Sequence, residues 1–455
     1  MLARRPGWLS LLAVLSPACG DSDEIILPPP PAALCTPPVS PVDASSATAI
    51  VGDGSPESCN EAALRAALSQ GGVVAFSCGP DPITLPLNAE IEISADTVLD
   101  GGGLVTLDGQ DQTRLLVIRS TFDQASPSLT VQNLTFQGGR TDDVPNTTEV
   151  DQGGAAIFRV GGSLTIIDSV FVANHGPSTG QDVGGGAVYS LGGGPTIITG
   201  SIFADNSASN AGAIGNLGAN LVLVNSTVSQ NEATGEGGNP GNGGNGGGIA
   251  VDGRVSIEMC GVTVEKNRAN AFGGGIFRVG PDGTEPTTID RSVFDQNAIP
   301  DRDPSLGGGV YLQSTIITLT NSAITRNEAR AAGGFFVGPG ARADLENVTI
   351  AQNSALSSLG GGLSIDGSAS GTFSQVTIAQ NRAPGEFAFA AGIAGGGGIT
   401  LRNSLLFNPE VGNGFNPINC TQTQLDGGGN VQFPVLRAGG GSDEPGNLCA
   451  AGALL

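Results

Sequence analysis

The feature that most constrains this chain is a repeat with one fixed segment and one variable segment. From Gly153 onward, units open on glycines followed by two or three apolar residues, as in GGAAIF, GGGAVY, GGGIAV, GGGIFR, GGGVYL, GGFFV and GGGLSI. A second apolar run follows, such as SLTIID or IITLTN. Each unit closes on an apolar residue three positions before an asparagine: Phe171/Asn174, Phe203/Asn206, Val228/Asn231, Val264/Asn267, Phe294/Asn297, Ile324/Asn327, Ile350/Asn353 and Ile378/Asn381. From opening residue to asparagine the distance is 20 to 24 residues, whereas from asparagine to the next opening it runs from 5 to 15. Such short strands cannot bury an apolar face alone. Stacked as coils at ~4.8 Å, each strand gains two hydrogen-bonded neighbours and the interior becomes continuous. The spacing therefore predicts an all-β fold, a single-stranded right-handed parallel β-helix. Asn174, Asn206, Asn231, Asn267, Asn297, Asn327, Asn353 and Asn381 should form a ladder at one turn, each amide donating to one neighbouring coil and accepting from the other. Asn408 closes a last coil.

The ends of a parallel rod need caps. Between Cys59 and Cys78 the sequence CNEAALRAALSQGGVVAFSC sets Asn60 as a helix N-cap, an apolar face on Ala62, Leu64, Ala67 and Leu68, and a stop at Gly71-Gly72. This is the expected N-terminal cap helix. The paired-glycine opening with the Phe-x-x-Asn closing (FVAN, FADN, FDQN) resembles the polymorphic outer membrane protein repeat of bacterial surface proteins. With the CNEAALRAAL head and the DGGGLVTLDG turn, the body over residues 49 to 420 resembles the pectin-lyase-like right-handed β-helix superfamily. The resemblance implies the fold, and for the repeat a role at the cell surface.

The chain start reads as an export signal. Arg4 and Arg5 precede a short apolar run, Trp8 to Leu15, which is too short to span a bilayer. Ser16-Pro17-Ala18 then leads to Cys19, and the arrangement resembles a bacterial lipobox, implying lipidation of Cys19. Serine in place of leucine three residues before the cysteine departs from that pattern. The expected organisation is 1–19 signal, 20–48 proline-rich tether, 49–110 cap and first coils, 111–408 repeats, and 409–455 C-terminal cap. The chain should be exported, either as an outer membrane lipoprotein or at the cell surface or outside the cell, and monomeric, with a lipid anchor as its only membrane contact. Seven cysteines in an exported chain suggest disulfides. Local pairing favours Cys59–Cys78 and Cys420–Cys449, leaving Cys35 over and Cys260 as a free, packed thiol.

Charge narrows the function. The net charge is −23, with one lysine, Lys266, and one histidine, His175. A nucleic-acid binder needs the opposite field. No Cys/His cluster is present, so no metal and no cofactor is expected. No serine elbow accompanies His175. Asp205, Asp252, Asp290, Asp295, Asp344 and Asp366 do not recur at one turn, and Arg159 and Arg278, in two matching IFRVG segments, lie several coils apart. Asp142, Asp143, Glu149 and Asp151 form one acidic loop, read as solvated charge rather than a calcium site. No catalytic residue is assigned. The expected function is binding, adhesion or a structural role toward a surface ligand, glycan or protein. The alternative is a polysaccharide lyase or glycoside hydrolase acting on an acidic glycan.

Length variation points to one edge of the rod. The long turns, 175–183, 232–245, 298–306 and 382–390, all follow a ladder asparagine, so stacking should project them from one side. They carry Asp182, Glu232, Glu236, Asp301, Arg302, Asp303 and Glu386. That edge is the expected interaction surface; the alternative is that insertions there are simply tolerated.

Overall fold

The computed structural model describes residues 27–142, 149–386, 390–408, 410–411, 419–422 and 424–433. It is a rod of about 13 stacked coils, nearly all β, which at ~4.8 Å per rung is roughly 60 Å of stack. One coil shows the plan. Ile276–Val279 lies in an 11-stranded sheet, and Pro286–Asp290 and Val293–Asp295 lie in a 25-stranded sheet that bends between them. Asn297 then turns the chain toward a narrow third face, built from pairs such as Ser207–Ala208 and Glu328–Ala329. Every neighbouring strand pairs in parallel, and the register carries equivalent residues onto one another, as in Phe277↔Tyr311 and Phe294↔Ile324.

The core follows from that register. The apolar residues three before the ladder asparagines, Phe171, Phe203, Val228, Val264, Phe294, Ile324, Ile350 and Ile378, fall into one column that Phe136 and Leu406 extend at its two ends, all fully buried. Phe136, Phe171 and Phe203 stack with centroids 4.6 and 4.7 Å apart and planes within 6°. That spacing is the rung spacing, so the strand stack sets the ring stack.

The asparagines form a buried ladder. Asn267 donates from its backbone N–H and its Nδ2 to Asn297 Oδ1, each at 3.0 Å, and Asn297 does the same to Asn327 Oδ1 at 2.8 and 2.9 Å. The pattern runs from Asn174 to Asn381 and passes on to Asn408 and Asn419. The residue before each ladder asparagine is left-handed, although none is glycine: Ala173, Asp205, Gln230, Lys266, Gln296, Arg326, Gln352 and Gln380 have φ between 51° and 61°. A β-branched side chain is the poorest fit to that conformation. Gln230 is exposed. Gln230→Val is therefore expected to destabilise by about 1–2 kcal/mol, and Gln230→Gly to stay within about 1 kcal/mol. Chemical denaturation of the pair checks this, and equal midpoints would count against it.

A second ladder sits at the bend of the large sheet. Leu134 N–H donates to Ser169 Oγ, Ser169 N–H to Ser201 Oγ and Ser201 N–H to Ser226 Oγ, while Ser292 N–H donates to Ser322 Oγ. Each of these serine hydroxyls donates back to a carbonyl two residues earlier. Opening glycines are needed where coils touch. A Cβ on Gly274 would lie 2.1 Å from the Gly308 carbonyl oxygen of the next coil.

The cap helix is Glu61–Leu68, with Asn60 Oδ1 accepting from Ala63 N–H and with Leu64, Ala67 and Leu68 buried. Cys59 and Cys78 are joined beneath it. Cys420 is disulfide-bonded, while Cys449 and Cys19 lie outside the described residues, as does most of 409–455. Two expectations are corrected. Cys260 is not a free thiol but is bonded to Cys35, 225 residues away. The proline-rich segment, described from residue 27, does not stand off as a tether but lies back along the rod. Asn225 Oδ1 accepts from the N–H groups of Leu34 and Cys35 at 3.0 and 2.9 Å, and Gln132 exchanges two bonds with the Val42 backbone. Local loop closure favours near neighbours in an unfolded chain, but the folded rod brings residue 35 beside residue 260.

Candidate functional edge

The long turns issue from the asparagine corner, and the described parts of all four lie along one edge. Thr234 Oγ1 donates to the Ser178 carbonyl at 3.0 Å, tying the 175–183 and 232–245 turns together. The hydroxyl of Ser209, in the short turn between them, lies 2.6 and 2.9 Å from the Gly180 and Asn242 carbonyl oxygens and shares its one hydrogen between them. Arg302 bridges to the 232–245 turn, with Nη1 3.0 Å from Glu236 Oε1 and Nε 2.9 Å from the Asn270 carbonyl. Ser357 Oγ donates to Asp301 at 2.5 Å. A Cβ on Gly385 would lie 2.6 Å from Ser357 Cα, so the turn after Asn381 abuts the same line.

The candidate residues fall into two groups. Glu236, Asp301, Arg302 and Asp303 come together: the first and third pair, and Asp303 faces Arg330 at 3.5 Å. A hollow of about 350 Å³ opens among Glu236, Asn242, Asn270, Arg302 and Asp303. Asp182 belongs to a second cleft, described below, with its carbonyl accepting from Tyr189 Oη at 3.0 Å. Glu232 sits exposed at the start of its turn, on the narrow third face. Glu386 falls at the last described residue before 387–389, which lie outside the described residues.

The second cleft was not evident from the sequence. Outward positions of the 11-stranded sheet form the column Phe158, Tyr189, Gly215, Ala250, Phe277, Tyr311, Phe336. Phe277, Tyr311 and Phe336 stack in sequence at 5.2 and 4.8 Å. Gly215 and Ala250 interrupt the rings, and a small cleft lies there between Tyr189 and Phe277. Asp182, Asn239 and Asp252 line it beside the two long turns. Its charged lining groups are carboxylates, so it suits a neutral or cationic group rather than an anion. The missed signal was two small residues within an otherwise aromatic column, visible only once the register is known.

Residues raised as chemical candidates have structural surroundings. His175 Nδ1 and Ser207 Oγ are 2.8 Å apart because they are neighbours on adjacent rungs. Burial pushes the nearby Asp205 carboxyl up, with His175 opposing. Burial pushes the Tyr311 phenol up to about 12, with Asp366 adding to it, so it stays protonated at neutral pH. Arg159 and Arg278 point into the coil interior and are fully buried. In the acidic loop Asp142 pairs with Arg140, while Asp143 lies outside the described residues, as does the side chain of Glu149. Among the described residues no group of three or more His, Cys, Asp or Glu is placed to hold a metal ion.

No curated protein sequence matches the chain. Solved structures similar to it include the A-module of mannuronan C-5 epimerase AlgE6 of Azotobacter vinelandii, at 14% identity and TM-score 0.44, covering 85% of this chain and 99% of that one. The AlgE4 A-module of the same organism matches at 16% identity and TM-score 0.38, covering 81% and 95%. PfbA, a surface adhesin of Streptococcus pneumoniae, matches at 11% identity and TM-score 0.37, covering 86% and 96%. With its parallel coils, buried asparagine ladder and cap helix, the chain is a right-handed parallel β-helix, and its residues 247–427 match the family model described as right handed beta helix region.

Proposed function

We propose that this is an exported surface protein that binds a glycan or protein ligand through the edge formed by its long turns, with the strand faces as scaffold. The observation that carries the reading is the contact between turns from separate rungs. Insertions that were merely tolerated have no need to bond to one another, yet Thr234 reaches Ser178, Arg302 reaches Glu236 and Ser357 reaches Asp301. A rigid scaffold presenting loops is a common way to build a recognition surface. Disulfides persist in oxidising compartments, which supports export. Lipid anchoring at Cys19, outer membrane placement and kinship with the polymorphic outer membrane protein repeat belong to the same proposal.

The lyase or hydrolase reading gains little from the site. The two matched arginines face inward, and the cleft beside Tyr189 is lined by Asp182 and Asp252, a poor setting for an acidic glycan.

The test trims 175–183, 232–245, 298–306 and 382–390 to the short form of residues 207–210. Wild type and variant are then compared on an array of neutral, basic and acidic glycans and on extracellular-matrix proteins. The variant should keep its far-ultraviolet circular dichroism and lose at least about tenfold in affinity, or ~1.4 kcal/mol. Undiminished binding would move the site to the strand faces. Release of unsaturated or reducing ends from polygalacturonate or alginate, abolished by one carboxylate substitution, would establish the enzyme reading instead.

A further inference from the structure

Residues 27–48 form a strap along the bend of the 25-stranded sheet. Val42 lies at the rung of Gln132, and Cys35 at Asn225 and Cys260. The Leu34 carbonyl accepts from Arg291 Nη1 at 2.9 Å. The register Gln132↔Ile167↔Thr199↔Val224↔Cys260↔Asp290 puts five rungs between the ends of this run, or roughly 24 Å. Gly261 makes room for it, since a Cβ there would sit 3.1 Å from Leu34 Cβ and 3.3 Å from Cys35 Sγ.

What holds the strap is unlike what holds the rod. No residue from 27 to 48 is buried, and Ala49 is the first that is. The strap has no apolar core of its own. Its root, Thr48, is bonded to the Val73 backbone, and upstream of that it is held by a few polar bonds, chiefly Asn225 with Leu34 and Cys35, Gln132 with Val42 and Arg291 with Leu34, and by one covalent link. That link joins two half-buried cysteines, whereas Cys59, Cys78 and Cys420 are all buried. Access governs which disulfide a thiolate can attack.

We propose that Cys35–Cys260 is a redox-released latch: its reduction detaches residues 27–47 from the rod and turns a flank-bound strap into a free tether rooted at Thr48. A dithiol reductant supplies the electrons. Its thiolate attacks one sulfur to form a mixed disulfide, and its second thiol closes on the first. Cys35 and Cys260 leave as thiols, and the reductant leaves as a cyclic disulfide. In the latched state whatever lies upstream of the strap is held against the side of the rod at mid-length. In the released state it is joined only at the capped end, through a free chain of residues 35 to 47 that can extend up to ~45 Å. The latch thus sets how the rod is presented to whatever holds its N-terminal segment.

The test uses the full chain, treated with a dithiol and no denaturant. Alkylation and mass spectrometry then identify the reduced cysteines, and amide hydrogen exchange follows Leu34, Cys35 and Val42. Cys35 and Cys260 should label together while Cys59 and Cys78 stay oxidised. Exchange at the three strap amides should quicken by about an order of magnitude or more, with rod amides and unfolding midpoint unchanged. The Cys35→Ser variant should show the same fast exchange without reductant. Slow strap exchange in the reduced protein or in the variant would overturn the proposal, because the polar contacts would then suffice. Reduction of Cys59–Cys78 at the same rate, or loss of the rod on reduction, would overturn it equally.

Discussion

Replacing Asn297 with alanine is expected to destabilise the protein by about 4 kcal/mol, although the side chain touches no solvent and no candidate ligand. Its amide serves both neighbouring coils at once. Oδ1 accepts from Asn267 N–H and Asn267 Nδ2, and Nδ2 donates to the Val264 carbonyl and to Asn327 Oδ1. Truncation removes all four bonds in a site that is fully buried. A buried polar group left without a partner costs roughly 1–3 kcal/mol, and water entering the vacated space recovers part of the sum. Asn297→Asp tests the donor half alone. It retains an acceptor for Asn267, loses both donated bonds and adds a buried charge, so it should be no better than alanine. In a stack, each coil contacts only its neighbours. Exchange should therefore quicken at Asn267 and Asn327 and stay slow at Asn174. Ala298 follows immediately and its N–H donates to the Asn267 carbonyl, so the ladder also aims the 298–306 turn. An unfolding midpoint unchanged by the alanine substitution would show that the ladder is not a stabilising element.

The ladder could be read from the sequence because two demands coincide on one residue type. A buried turn amide that both donates and accepts along a stack needs asparagine, and the apolar column fixes its distance from the core. The serine ladder left a comparable trace, since Ser169, Ser201, Ser226, Ser292 and Ser322 each stand five residues before a ladder asparagine. Its signal is weaker because serine is also common on exposed turns. The left-handed positions left almost none. Alanine, aspartate, glutamine, lysine and arginine all occupy one of them, because the stacked turn imposes the backbone and leaves the side chain pointing outward. The projection of the long turns to one edge followed from constant frame length. Their bonds to one another did not, since these depend on where each turn folds back. The Cys35–Cys260 link lay beyond reach for a similar reason. It depends on a surface path across several coils that no periodicity encodes.

The second large effect is expected at Arg159. Arg159→Met should cost about 3–5 kcal/mol, from several buried turn carbonyls each losing its donor at roughly 1–3 kcal/mol less what water recovers, and leave ligand binding by the folded molecules unchanged. The guanidinium lies inside the coil, on the strand Ile157–Val160, with six acceptors within hydrogen-bond distance of its five N–H groups. The two hydrogens of Nη1 are shared among the carbonyls of Gly161, Gly162 and Gly192 at 2.8 to 2.9 Å, while Nη2 donates to the Gly194 carbonyl and Thr196 Oγ1, and Nε to Ser190 Oγ. It closes two successive glycine turns whose carbonyls converge on the interior. Gly162 O keeps one other donor, the N–H of Gly194, so the loss falls mainly on Gly161, Gly192 and Gly194. Burial lowers the guanidinium pKa to about 10, still well above neutrality, so the group is charged and its partners are the dipoles of those carbonyls. Lysine keeps the charge but offers three donors from a single point, which cannot match a planar fork. Arg159→Lys should therefore fall between wild type and methionine. Arg278 is the internal comparison. It occupies the same register column, but its bonds go to the carbonyls of Gly253, Val255 and Val279, and its Nε has no partner. Arg278→Met should cost less than Arg159→Met. Thermal or urea unfolding of the three variants, with binding measured on the folded fraction, separates the readings. Unchanged stability with lost binding at Arg159 would mean that the side chain serves a ligand rather than the turn carbonyls.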